Sequence, residues 1–94
     1  MSIEEKRKET LWCAHNLFDR GLVRGSTGNI SFFHESRMYI SPSGSCFGRL
    51  AGGDFAEVSL EGEILKGKPS KEYPLHLIFY RQGEGNGAVI HTHS

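Results

Sequence analysis

The apolar run Gly87-Ala-Val-Ile90, closed by His91-Thr-His93-Ser94, constrains this chain more than any other segment. Its small and β-branched residues predict a short buried strand. A buried strand needs sheet partners, so the residues before it must supply a sheet. Residues two apart on a strand project to the same side, which would present His91 and His93 together. Two convergent neutral imidazoles are half of a tetrahedral or octahedral metal site. The same pair also reads more plainly as two exposed histidines following a strand.

The upstream residues read as helix, strands and helix. Ile3 to Arg20 predicts an amphipathic helix, with Ser2 as N-cap, Glu4 and Glu5 at the positive dipole end, and Gly21 as its stop. Leu11, Ala14 and Phe18 are expected to form its buried face, with Trp12 and Leu22 adjoining. Ile30 to Phe33 and Met38 to Ile40 read as strands joined by a hairpin-like turn, His34-Glu-Ser-Arg37. Asp54 could cap a short helical turn. Glu57 to Leu60 and Glu63 to Leu65 read as strands around Glu61-Gly62. Ser70 is the expected N-cap of a second helix running to about Gln82, with Leu75, Ile78 and Phe79 as its buried stripe. Pro74 is tolerable there because first-turn N–H groups have no intrahelical acceptor. This order predicts an α/β or α+β layer.

Composition narrows the function classes. Ninety-four residues make at most one small domain. Eleven basic and eleven acidic residues balance to zero net charge, giving no electrostatic case for nucleic acid or a membrane surface. No apolar stretch approaches the roughly 20 residues of a membrane span, and the first residues do not read as a signal peptide. Cys13 and Cys46 show no CxxC spacing, so a cytoplasmic protein without disulfides is expected.

Three polar loops could carry chemistry: Gly25-Ser-Thr-Gly-Asn29, Ser41-Pro-Ser-Gly-Ser45 and Pro69-Ser-Lys-Glu72. Each offers small residues, hydroxyls and free backbone N–H groups, and the third lies at a helix start with the ammonium of Lys71. That chemistry suits an anion such as phosphate, although each loop alone also reads as an ordinary turn. Neither a GxGxxG nor a Walker lysine motif supports a nucleotide site. Glu72 and His76, four apart, share a helix face. Glu72 reads either as a catalytic base or metal ligand, or as a first-turn glutamate complementing the dipole, which local sequence favours. For His76 a structural, half-buried role is favoured; His15 and His34 are given none.

Together these segments resemble the class II aldolase/adducin family. The likeness is carried by Arg24-Gly-Ser-Thr-Gly-Asn-Ile-Ser31, Ile40-Ser-Pro-Ser-Gly44, Lys68-Pro-Ser-Lys-Glu72 with His76, and Ala88-Val-Ile-His-Thr-His93. Four motifs in the family's order are far more specific than any one. The resemblance covers essentially the whole chain, which corresponds to the N-terminal half of such a domain. It implies a three-layer α/β/α fold with a mixed or antiparallel central sheet, of which residues 1–94 form a truncated part.

The resemblance also implies roles. Gly28, Asn29, Ser43, Gly44, Ser70 and Lys71 fall where the family's phosphate and substrate contacts lie. Glu72 falls on the glutamate that moves the proton and can ligate the resting metal. His91 and His93 fall on two of three histidines that hold a divalent ion, commonly Zn2+, or another such as Mn2+; the third lies further downstream. The implied reaction is carbon–carbon cleavage of a phosphorylated sugar acid or ketose through a metal-stabilised enediolate. Lys71 and Phe47-Gly-Arg-Leu50 look most like the 3-oxo-tetronate 4-phosphate decarboxylase branch, whose products would be dihydroxyacetone phosphate and CO2. A fuculose-phosphate-type aldolase, an adducin-like scaffold and an inactive truncated product are the alternatives. Family members are commonly homotetramers, with a phosphorylated small molecule as partner.

Overall fold

Ser2 opens the first helix, α1 (Ile3–Asp19), by a reciprocal pair of bonds. Its Oγ accepts the Glu5 N–H at 3.1 Å, and the Glu5 carboxylate accepts the Ser2 N–H at 3.3 Å. Two of the donors that a helix start leaves unsatisfied are thereby used. The Ser2 backbone bond also holds the Glu5 carboxyl below the ordinary glutamate range. At the other end Gly21 adopts the left-handed conformation, φ 73°, that stops the helix. The computed structural model describes residues 2–83 and 89–91.

Among the described residues five strands follow: β1 (Asn29–His34), β2 (Arg37–Ile40), β3 (Ala56–Ser59), β4 (Ile64–Lys66) and β5 (Val89–His91). They form one sheet in the order β4-β3-β2-β1-β5, with every neighbouring pair antiparallel. The strands expected from the sequence are present, with described ends that differ by a residue or two. Among the described residues, however, β5 is an edge strand with Ile90 42% exposed, rather than the buried strand its apolar run predicts. β1 lies between β2 and β5, so the segment carrying Asn29 and Ser31 has its backbone paired on both sides.

The β1–β2 hairpin is tight. His34 pairs with Arg37, and the two residues between them both have positive φ, 47° at Glu35 and 68° at Ser36. That is the mirror-image turn whose twist matches the sheet, but its preferred residues are Asn-Gly. Left-handed backbone is unfavourable for ordinary L-residues, so the double change Glu35→Asn/Ser36→Gly should stabilise the chain by about 1 kcal/mol. A rise in the urea midpoint at unchanged slope would show it; a fall would contradict the turn.

Alternation along the strands sends side chains to two cores. Ile30, Phe32 and Tyr39 pack beneath α1 with Ala14, Val23, Phe47, Leu50 and Phe55. Met38, Ile40, Ala56 and Val58 pack on the opposite face with Leu77 and Tyr80 of the second helix, α2 (Tyr73–Arg81). The arrangement is the expected α/β/α sandwich, with an all-antiparallel sheet among the described residues. Short 3-10 turns at Phe47–Arg49 and Gly52–Asp54 bridge β2 to β3 on the α1 side. Asp54 caps its turn as expected, though from the last position: its carboxylate reaches back and accepts the Ala51 N–H at 2.9 Å.

α1 presents its expected Leu11 and Ala14 to the core, whereas α2 is turned away from its apolar stripe. Trp12 and Leu22 are 67% and 63% exposed, and Phe18 lies at the margin. On α2 the expected stripe of Leu75, Ile78 and Phe79 is exposed, and His76, Leu77 and Tyr80 are buried instead. The helix also begins at Tyr73 rather than just after Ser70. The Tyr73 N–H bonds the Ser70 carbonyl in a tight turn, and Ser70 Oγ accepts the Glu72 N–H. No helix among the described residues is long and apolar enough to cross a membrane. Cys13 and Cys46 are free thiols.

Candidate active site

The three polar loops meet because the sheet and a few backbone bonds draw them to one end of β1. Ser41, wholly buried after β2, donates its N–H to the Ile30 carbonyl at 2.9 Å, and its Oγ accepts the Ile30 N–H at 3.1 Å. The Ser43 N–H bonds the Lys68 carbonyl at 2.9 Å, and the Ser70 N–H bonds the Ser41 carbonyl at 3.0 Å. Pro42 and Pro69 form a bridge between those two bonds. The second and third loops are therefore stitched into one unit. This corrects the expectation that their N–H groups are all free: those of Ser43 and Ser70 hold the loops together.

A cleft of about 320 Å³ opens where the loops converge. It is lined by Gly28, Asn29, Ser43, Gly44, Ser70, Lys71 and Glu72, joined by Ser26, Thr27 and Pro42. Among these residues Lys71 is the cation and Glu72 the anion. Hydroxyls and one ammonium over a short helix start can hold a phosphate, and a carboxylate beside them can move a proton. Gly28 is small for a reason below the cleft. A Cβ there would approach Val23 Cγ1 at 3.0 Å and Phe47 Cζ at 3.2 Å, so the loop is pressed onto the α1 core.

Beneath the cleft lies a polar network between β1 and α2. Asn29 and Ser31 share the α2 face of β1 and are almost fully buried. His76 Nε2 bonds Asn29 Oδ1, His76 Nδ1 bonds Ser31 Oγ at 2.6 Å, and Ser31 Oγ bonds the Tyr80 hydroxyl at 2.8 Å. Burial, reinforced by the neighbouring His91, pushes the His76 pKa down to about 4. Burial raises Tyr80 to about 12, against its hydrogen bonds with Ser31 and the Val89 backbone. His76 is thus fully rather than half buried. Ser31 and Tyr80 were not anticipated as its partners. The available signals were the period-2 spacing of Asn29 and Ser31, and the four-residue spacing of His76 and Tyr80.

The metal-ligand candidates divide. His91 is opposite Asn29 in the β1–β5 register, so its side chain is directed to the α2 face, the face of Asn29 and His76. Glu72 lines the cleft. An imidazole and a carboxylate suit a divalent ion as donors. His93 lies outside the described residues, and among those residues no group of three or more His, Cys, Asp or Glu is placed to hold a metal. The donor types fit such an ion, and the described part supplies an incomplete set. Of the remaining histidines, His15 Nε2 bonds the Leu50 carbonyl at 2.7 Å and ties α1 to the turn below it. His34 lies in the hairpin beside Glu35.

Known proteins share this architecture. The L-fuculose phosphate aldolase of Methanocaldococcus jannaschii is 42% identical over 88 residues, 94% of this chain and 49% of that protein. The 3-oxo-tetronate 4-phosphate decarboxylase of Pectobacterium atrosepticum is 38% identical over 95 residues, 99% of this chain and 44% of that protein. The crystal structure of YgbL from Klebsiella pneumoniae superposes with a TM-score of 0.89 at 34% identity, over 100% of this chain and 46% of that one. The chain spans about half the length of the curated relatives it matches. Residues 8–94 match the model of the Class II Aldolase and Adducin N-terminal domain. With that match over nearly its whole length, the chain belongs to the class II aldolase and adducin family.

Proposed function

We propose that this chain is the phosphate-holding and proton-moving portion of a divalent-metal-dependent carbon–carbon lyase. Its substrate would be a phosphorylated sugar acid or ketose. The observation that carries the reading is the single cleft lined by Gly28, Asn29, Ser43, Gly44, Ser70, Lys71 and Glu72. In this reading the hydroxyls and Lys71 hold the phosphate, and Asn29 contacts the substrate. Glu72 shuttles the proton at the carbon beside the broken bond. His91, His93 and Glu72 would hold Zn2+ or another divalent ion such as Mn2+, which when bound supplies Lewis acidity to a substrate carbonyl. The family resemblance carries a homotetramer into the same reading.

The finer reading is decarboxylation of 3-oxo-tetronate 4-phosphate to dihydroxyacetone phosphate and CO2. Lys71 supports it, because an ammonium beside a phosphate site suits a substrate that bears a carboxylate as well. The second reading, a fuculose-phosphate-type aldolase, is favoured by the 42% identity to the archaeal aldolase. Binding of two probes separates them: 3-phosphoglycerate, with both anionic groups, and glycerol 3-phosphate, with one. Lys71→Ser should weaken 3-phosphoglycerate by about tenfold more than glycerol 3-phosphate, the worth of one charge-assisted hydrogen bond. Equal losses would sink the decarboxylase and leave the aldolase. Failure of the unmodified chain to bind either probe would remove the phosphate role of the cleft.

A further inference from the structure

Asn29 is the one cleft residue whose side chain is anchored in the buried network, and that anchor has a direction. Its Oδ1 meets His76 Nε2. An amide oxygen only accepts, so Nε2 carries the hydrogen. His76 is wholly buried and its ring nitrogens meet an amide and a hydroxyl, with no carboxylate to hold a second proton. Nδ1 is then an acceptor, and Ser31 spends its single hydrogen on it at 2.6 Å. The 2.8 Å contact between Ser31 and Tyr80 must therefore be a bond donated by Tyr80. With its single hydrogen on Ser31, the Tyr80 oxygen can only accept in its hydrogen bond with the Val89 backbone. Donation runs one way, from β5 through Tyr80, Ser31 and His76 to Asn29.

We propose that His76 is a positioning residue that fixes the polarity of the cleft wall: by holding the Asn29 oxygen it leaves the Asn29 Nδ2 hydrogens as what that side chain offers a ligand. The inference rests on the anion-binding reading of the cleft and deepens it. A flipped Asn29 would set its NH2 group against the Nε2 hydrogen. Restoring that contact needs the other imidazole tautomer and the reversal of Ser31. Ser31 Oγ would then accept from Nδ1, and its own hydrogen would either displace the Tyr80 hydrogen or go without a partner. The network thus opposes an acceptor at this wall and favours a donor, which suits an anionic oxygen.

Inorganic phosphate titrated into the full chain, with nitrogen NMR of the histidine rings and of the Asn29 amide, tests this. The expected spectrum has His76 protonated at Nε2 alone, and phosphate shifts the Asn29 Nδ2 hydrogens. His76→Gln keeps an N–H near the Nε2 position and should hold phosphate affinity close to that of the unmodified chain. His76→Asn keeps an acceptor for Ser31 but cannot reach Asn29, and should lose about tenfold. Equal losses in two folded variants would overturn the positioning role, since a merely structural histidine makes no such distinction. If either variant fails to fold, the unmodified chain still decides: an Nδ1–H tautomer for His76 overturns the proposal. An Nε2–H tautomer in a chain that binds no phosphate supports the orientation of Asn29 and removes the anion reading instead.

Discussion

Between pH 6.5 and about 4 the folded chain should lose on the order of 3 kcal/mol of stability through His76 alone. In the unfolded chain this imidazole takes a proton below its ordinary value of 6.5. In the folded chain it refuses one until about 4, because burial removes the water that would solvate the cation. Within that window the unfolded state binds more protons, so stability falls as pH falls. The contribution is complete above 6.5 and lost by about 4, below which both states are protonated and the slope ends. Urea midpoints at pH 7, 5.5 and 4 measure it, with His76→Gln as the reference. A difference between the two that does not change with pH would contradict a buried, neutral His76.

That histidine also shows where the sequence stopped being legible. The α1 cap could be read because it is local: Ser2 and Glu5 are three residues apart and need nothing else. The strands of the β1–β2 hairpin and their joining turn were legible for the same reason. The buried face of α2 was not, because it is chosen by β1. Leu75, Ile78 and Phe79 make the more apolar stripe, yet the helix turns His76 and Tyr80 inward. It can do so because Asn29 and Ser31 offer them hydrogen-bond partners, which removes the usual cost of burying polar groups. The loop residues were legible as three separate turns. Their meeting in one cleft depends on Ser41, whose bonds to Ile30 and Ser70 join two of those loops to the sheet. The local sequence of any one loop contains no sign of that.

Phe47→Ala should destabilise the chain by about 3–5 kcal/mol, a large share of the roughly 5–15 kcal/mol that holds a domain together. The ring is wholly buried among Ala14, Val23, Ile30 and Leu50, in the core that seats α1 on the sheet. Its loss removes apolar area and leaves a cavity that the surrounding strands cannot fully close. The urea midpoint should drop sharply at unchanged slope, and Phe47→Leu should lose much less. The effect should extend to the cleft, because the Phe47 ring supports Gly28. In the intact chain Gly28→Ala would drive a methyl group toward Phe47 Cζ, 3.2 Å away, and Val23 Cγ1, 3.0 Å away. With the ring removed, half of that obstruction is gone, and the added methyl enters space the truncation has opened. The two substitutions should therefore be non-additive, Gly28→Ala costing measurably less in the Phe47→Ala background. Strict additivity would mean that Gly28 is small for some reason other than the core beneath it.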